Sequence, residues 1–205
     1  MALIARPPQV VVVNPDKVAA KTLAEFIAYA KANPGKLNYG SAGAGTTHHL
    51  AGELFKILTK TNIQHVPYRG AGPAMQDLIA GHVPVVFDGL GSSAAPVRAG
   101  QLRACGRRAE ARAGVPRSSD RRRSGPAPDM KSSTWYGLFA PQEHAAGNRP
   151  ADDQGIAEGH ADSPPSRKRW ERNGSDVPDV TGPAFAKMVS AEVERWRKVV
   201  SRPRM

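Results

Sequence analysis

Short β-branched runs alternate with amphipathic segments through the first hundred residues, joined by loops of only a few positions. That alternation predicts an α/β fold in which a parallel sheet is covered by helices on both faces. "QVVVVNP" is a β-branched run closed by Asn-Pro and predicts a buried strand. In "KTLAEFIAYAKANPGK", Leu23, Phe26, Ile27 and Ala30 share one helical face, Thr22 is the candidate N-cap, and Pro34-Gly35 stops the helix. "LNYGSAG" reads as a strand ending in a glycine-rich turn. The following "THHLAGELFKILTKTN" reads as a helix whose expected buried stripe is Leu50, Leu54, Ile57 and Leu58. "IQHVPYRG" predicts a strand and "GPAMQDLIAGH" a short helix with Pro73 tolerated in its first turn. "VPVVFDGL" is another strand, "SSAAPVRAGQ" a helical turn or two, and "LRA" the start of a further strand.

The texture changes after Ala104. Residues 105–129 are crowded with Arg, Ser, Pro and Gly and lack apolar periodicity, which predicts a basic, disordered segment. Residues 130–142 restore a strand-like island around Trp135, Tyr136, Leu138 and Phe139; 143–176 lose it again and read as irregular. Residues 177–205 predict an amphipathic helix with Phe185, Met188, Val189, Val193 and Trp196 on one face. The expected organisation is thus a ligand-binding lobe over 1–104, followed by these four segments.

Charge follows the same division. The net charge is +11, yet residues up to Arg103 hold ten Lys and Arg against five Asp and Glu, so six of the eleven net charges lie beyond it. "RRRSG" and "SRKRW" could neutralise phosphates, but they lack interleaved aromatics apart from Trp170, so solvated coil is expected and not a nucleic-acid interface. Cys105 is the sole cysteine, which excludes an internal disulfide. No apolar run approaches the roughly 18 residues of a membrane helix, so no membrane insertion is expected. "MALIARPPQVVVV" lacks the continuous apolar core and small-residue cleavage site of a signal peptide, so the chain as written carries no export address.

The glycine turn "YGSAGAGTTHHLAGE" carries the chemistry. Gly40 to Gly45 match the first half of a phosphate loop, but Thr46 and Thr47 stand where Lys and Ser or Thr are required. Gly43 and Gly45 begin a dinucleotide fingerprint, but His48 occupies the third glycine's place and no acidic residue closes the next strand. What remains is a helix N-terminus whose N–H groups and dipole favour an anion, with the Ser41, Thr46 and Thr47 hydroxyls as additional donors. A carboxylate or a phosphate suits it; so does a tight turn that binds nothing. His48 and His49 are adjacent and point about 100° apart on a helix, so they cannot share a metal. Ser41 has neither a nucleophile-elbow motif nor a base and acid set, so no catalytic residue is expected. Asp88 closes a strand at its carboxyl end, where open sheets place ligand groups, or it caps "GSSAAP". Tyr68, Arg69 and Gly70 end another strand on the same edge. Three polar or glycine-rich strand ends on one side form the constellation.

"NYGSAGAGTTHHLAGELFK", "HVPYRGAGPAMQDLIAGHVPVVFDGL" and "PVRAGQLRA" together resemble the extracytoplasmic solute receptors of tripartite tricarboxylate transporters, the Bug family. The likeness runs from about Val10 to Ala104 and resumes at "MKSSTWYGLFAP" and "VTGPAFAKMVSAEVERWRKVV". It implies a type II periplasmic-binding-protein-like lobe, in a family whose two lobes close over a carboxylated solute and pass it to a membrane permease without catalysis or cofactor. It further implies that Ser41, Ala42, Gly43, Thr46, Thr47 and His48 form the carboxylate cradle. Gly70, Ala71 and Ala74 would form a second wall, and Asp88 would face the solute's far end. The partners implied are a small carboxylate and the permease, in the periplasm. Family members begin with a signal peptide and a longer first lobe, so the resemblance reads this chain as truncated at its start, with a second lobe largely missing. Residues 105–129 and 143–176 keep the family's length but not its text, which reads as out-of-frame translation; re-reading the coding DNA in its other frames tests that. The competing expectations are therefore an impaired receptor fragment, a product without function, and a basic nucleic-acid binder. Loss of the other lobe would also leave Trp135, Phe139 and the final helix without their partner.

Overall fold

The structure is a computed structural model that describes residues 2–105, 133–139, 168, 170, 175 and 180–201. Its strands are β1 (Ala2–Ala5), β2 (Val10–Val13), β3 (Leu37–Ser41), β4 (Ile63–Pro67), β5 (Val85–Asp88), β6 (Arg103–Cys105) and β7 (Tyr136–Leu138). Its helices are α1 (Leu23–Ala32), α2 (Thr47–Thr59), α3 (Ala71–Ala80), α4 (Ala94–Arg98) and α5 (Gly182–Val200). The chain divides into two compact units, one of Pro8–Thr134 and one of Met1–Pro7 with Trp135–Met205. The first seven residues, expected inside the 1–104 lobe, thus fall in the other unit. The expected basic segment lies outside the described residues except for Cys105, and so does the irregular segment except for Lys168, Trp170 and Ser175.

In the unit of residues 8–134 the sheet order is β4-β3-β5-β2-β6. β3 pairs parallel with both β4 and β5, whereas β2 pairs antiparallel with β5 and β6. The mainly parallel sheet is therefore mixed, with β2 alone running against its neighbours. A crossover fixes direction only between the strands it joins, and β2 is joined through α1 to β3, which is not beside it. A run of valines carries no record of polarity.

Period-two alternation sorts each strand between two cores. Val11, Val13, Val85 and Phe87 join Phe26, Ile27, Ala51 and Phe55, so α1 and α2 cover one face. Val10, Val12 and Val86 join Met75, Leu78 and Val97 on the other face, under α3 and α4. The α1 boundary is as expected: Thr22 Oγ1 accepts the Glu25 N–H at 3.2 Å, and the helix ends at Ala32, before Pro34.

The face of α2 differs from the expected leucine stripe. His48, Ala51, Gly52, Phe55 and Thr59 are buried, Leu50, Leu54 and Ile57 are half-buried, and Leu58 is exposed. The helix lies close to the sheet over the Tyr39 ring, and a Cβ on Gly52 would collide with that ring. Small residues permit the approach. Thr59 can join the buried face because its hydroxyl donates to Phe55 O at 2.7 Å and pairs with Thr61 Oγ1 at 2.8 Å.

In the other unit, β1 pairs antiparallel with β7, and Leu3 N–H donates to Val180 O at 2.9 Å. "ALIA" was not legible as a strand, being four residues before a proline pair. Phe185 of α5 is fully buried, with the Trp135 ring edge-on at 6.0 Å and Phe139 at 5.3 Å. The aromatic residues expected to lack a partner therefore pack on one another. Val193 is exposed, contrary to the expected stripe, and Glu192 is buried instead, accepting from Trp196 Nε1 at 3.0 Å with Arg6 at 3.6 Å.

Candidate functional site

The carboxyl ends of β3, β4 and β5 lie on one edge of the sheet, because those strands run parallel. From β3 the chain leaves through α2 to β4, and from β5 it leaves through α4 to β6 on the opposite side. Adjacent strands whose connections depart in opposite directions define a topological switch point, the place where open α/β sheets bind ligands.

Two loops meet there. Tyr68 N–H donates to Ser41 O at 3.0 Å and Gly70 N–H to Ala42 O at 3.2 Å, which ties the turn after β4 to the turn after β3. Helix α2, of 13 residues, and helix α3, of 10, begin from these tied turns. Gly43 and Gly70 make the geometry possible, with φ of 132° and 118° that L side chains rarely adopt. The constellation of Ser41, Ala42, Gly43, Thr46, Thr47, Gly70 and Ala71 inferred from sequence is thus brought together. Ala74, on the buried face of α3, presents no surface.

The bend satisfies more of its own donors than the sequence suggested. Gly43 N–H donates to Ser41 Oγ at 3.1 Å, Gly45 N–H to His49 Nδ1 at 3.0 Å, and Thr46 N–H to Gly43 O at 3.3 Å. The hydroxyls expected as additional donors are engaged as well. Ser41 Oγ lies 2.6 Å from His65 Nε2, Thr46 Oγ1 donates to Gly43 O at 2.7 Å, and Thr47 Oγ1 pairs with Thr134 Oγ1 at 3.0 Å. The first-turn N–H groups of Thr47 and His48 on α2, and of Ala71 and Gly72 on α3, have no acceptor among the described residues. Those groups, with the two helix dipoles behind them, are what the edge presents to an anion.

His48 and Asp88 meet at the switch point, with His48 Nε2 3.6 Å from Asp88 Oδ1. Burial pulls the His48 imidazole below its ordinary value, and the nearby Asp88 carboxylate only partly opposes this. Its Nδ1 is buried with no hydrogen-bond partner among the described residues. Asp88 is 1% exposed; its carboxylate accepts from Ser92 Oγ at 2.6 Å, Ser93 N at 3.0 Å and Ser93 Oγ at 2.6 Å. The capping alternative is therefore the geometry observed, and the carboxylate is turned inward.

Sequence inspection missed a second network beneath the bend. The Tyr39 and His65 rings stack at 5.1 Å, and His65 stacks on His49 at 4.0 Å. Tyr39 Oη donates to Glu53 Oε1 at 2.8 Å, and Lys56 Nζ holds the same carboxylate at 2.9 Å. Burial and the Glu53 carboxylate push the Tyr39 phenol far up. For Glu53, burial works to raise the carboxyl, but the bonds from Lys56 and Tyr39 outweigh it and hold it below its ordinary value. The signal was present, since Tyr39 and His65 sit at matched positions once β3 and β4 are paired. Among the described residues, no group of three or more His, Cys, Asp or Glu could hold a metal ion, and no helix is long and apolar enough to cross a membrane.

A three-layer lobe with a switch-point edge of main-chain donors is the architecture of a periplasmic binding protein, and solved structures bear this out. R. palustris Rpa4515 with adipate superposes with a TM-score of 0.82 at 27% identity, covering 97% of this chain and 66% of that one. MatC from Rhodopseudomonas palustris with bound malate gives 0.80 at 26% identity, covering 98% and 68%. Among curated relatives, a UPF0065 protein encoded in the tcbD-tcbE intergenic region of Pseudomonas sp. is 29% identical over 98% of this chain and 59% of its own length. The chain therefore spans about three fifths of that relative. Residues 1–204 match the Tripartite tricarboxylate transporter family receptor, and the chain belongs to that family. The matched range includes 105–129 and 143–176. The matched family is one of transporter receptors.

Proposed function

We propose that residues 8–134 form a carboxylate-recognising lobe of a periplasmic solute receptor. One carboxylate of a small di- or tricarboxylic acid seats against the first turns of α2 and α3. The observation that carries this is the pair of helix N-termini tied to one edge by the Tyr68–Ser41 and Gly70–Ala42 bonds, with the N–H groups of Thr47, His48, Ala71 and Gly72 left over. Such donors suit an oxyanion, and their bonds to a carboxylate are charge-assisted. Adipate and malate in the two related structures support this solute class. Ser41, Ala42, Gly43 and Gly70 shape the cradle in this reading. His48 and Asp88 support it from behind, and the whole protein passes its solute to a membrane permease in the periplasm.

A few charge-assisted bonds at a solvated edge contribute about 1.5–3 kcal/mol each at best. Binding by this chain is therefore expected in the millimolar range. Titration of the ¹⁵N-labelled chain with malate and with adipate should shift the amides of Thr47, His48, Ala71 and Gly72, while the uncharged diamides leave them still. If those four amides stay fixed up to solubility-limited dicarboxylate, the assignment of this edge is wrong.

A further inference from the structure

His49 lies on the first turn of α2, yet its side chain reaches back into the bend, where Nδ1 accepts the Gly45 N–H at 3.0 Å. A ring nitrogen that accepts is unprotonated, so the proton of the neutral imidazole sits on Nε2, which faces Glu53 Oε1 at 3.9 Å. We propose that His49 is the positioning residue of the anion-facing bend, holding residues 43–46 in shape through Gly45, and that only its deprotonated ring can do so. The proposal rests on the carboxylate reading above for its functional meaning, but not for its test.

Three observations make His49 more than an incidental contact. Gly45 has a φ of 78° and, among the described residues, no neighbour within 4 Å of a would-be Cβ, so none of them restrains it there by side-chain packing. The bend's other bonds start from Ser41, Ala42, Gly43, Thr46 and Thr47, and the His49 ring ties Gly45 to the helix body. The ring itself is clamped, stacked on His65 with planes 19° apart, while His65 pairs with Ser41 Oγ and stacks on Tyr39.

Protonating Nδ1 sets an N–H against the Gly45 N–H, which removes the bond and opposes two dipoles. Among the described residues, titratable and charged groups near the ring include Glu53 and Lys56 on α2, His65 on β4 and Tyr39 on β3. Glu53 favours the charged ring; Lys56 and a charged His65 disfavour it. The bend carries no titratable group of its own. Acidification therefore loosens the cradle at the moment when an added positive charge would otherwise favour an anion, and the two effects oppose each other.

The Gly45 amide decides the matter without any solute. In the ¹⁵N spectrum of the ligand-free chain between pH 8 and 5, its shift should follow the His49 ring signals, and its hydrogen exchange, corrected for intrinsic rate, should quicken about fivefold to tenfold. His49→Asn places an acceptor oxygen near the Nδ1 position and does not titrate, so Gly45 should stay protected at every pH. His49→Leu keeps bulk without an acceptor and should leave Gly45 unprotected throughout. Malate affinity at pH 8 should be kept by His49→Asn and fall about fivefold to tenfold in His49→Leu. The pH dependence of wild-type binding should flatten in His49→Asn. A Gly45 amide indifferent to His49 titration, or an asparagine variant that behaves like the leucine one, overturns the positioning role. If Gly45 responds as described and malate does not bind, that role stands and the solute reading fails.

Discussion

Gly52→Ala sets two effects of opposite sign against each other inside α2. Alanine is a better helix former than glycine by about 1 kcal/mol, and at an exposed helical position the change should stabilise. Here the added Cβ meets the Tyr39 ring. That ring has nowhere to go: it is fully buried, stacked on His65 at 5.1 Å, edge-on to Phe87 at 5.2 Å, and held through Oη to Glu53. Overpacking of this kind costs about 1–3 kcal/mol. Displacing the ring also loses the phenol–carboxylate bond, about 1 kcal/mol more. The net expectation is a loss of about 2 kcal/mol, or a fall in Tm of about 4–8 °C for a chain of this size. Urea unfolding followed by far-ultraviolet circular dichroism would read it as a lower midpoint at unchanged slope. Tyr39→Leu removes the ring edge, so the double variant should lose about 1–2 kcal/mol less than the two single losses together. A Gly52→Ala chain that is more stable than wild type, or losses that simply add, would refute the close-approach account of why α2 buries its small face.

Other expectations follow from single contacts. Asp88→Asn loses the negative acceptor for Ser92 and Ser93 and should destabilise the chain by about 2 kcal/mol in the same unfolding assay. Glu53 is held below its ordinary value of 4.5 in the fold, so its contribution is intact above pH 4.5 and lost as pH falls through the lower folded value; Glu53→Gln should flatten that acid loss. His48 is held below 6.5, so the unfolded chain takes up its proton first, and stability should fall as pH drops from 6.5 toward the folded value; His48→Asn should remove that part of the pH profile. Thr22→Ala removes the cap on the Glu25 N–H and should cost about 1 kcal/mol, seen as a lower unfolding midpoint.

The strands and helices of residues 10–105 were legible because each has its own periodicity and punctuation. Thr22, Pro34-Gly35 and the valine runs fall where the elements begin, end or bury. Other features were not legible, each for its own reason. The direction of β2 depends on partners far along the chain. The buried face of α2 depends on how near the helix comes to Tyr39, and counting large apolar residues favours the wrong side when a glycine sets the distance. The inward turn of Asp88 was one of two readings that its position at a strand end allowed, and only the place of Ser92 and Ser93 in space decides between them. The bend was found from its glycines. Its internal bonds were not, since Gly45 to His49 is a choice of rotamer and not of spacing.

The reversed strand inside the sheet has a temporal consequence. Val10–Val13 is apolar on both faces, and its ladder partners are Val85–Asp88 and Arg103–Cys105. Made before both of these neighbours, it must wait for most of the unit to be synthesised before either exists. During that interval it is a sticky ribbon with two vacant edges, the kind of segment that holdase chaperones shelter and that aggregates when they are scarce.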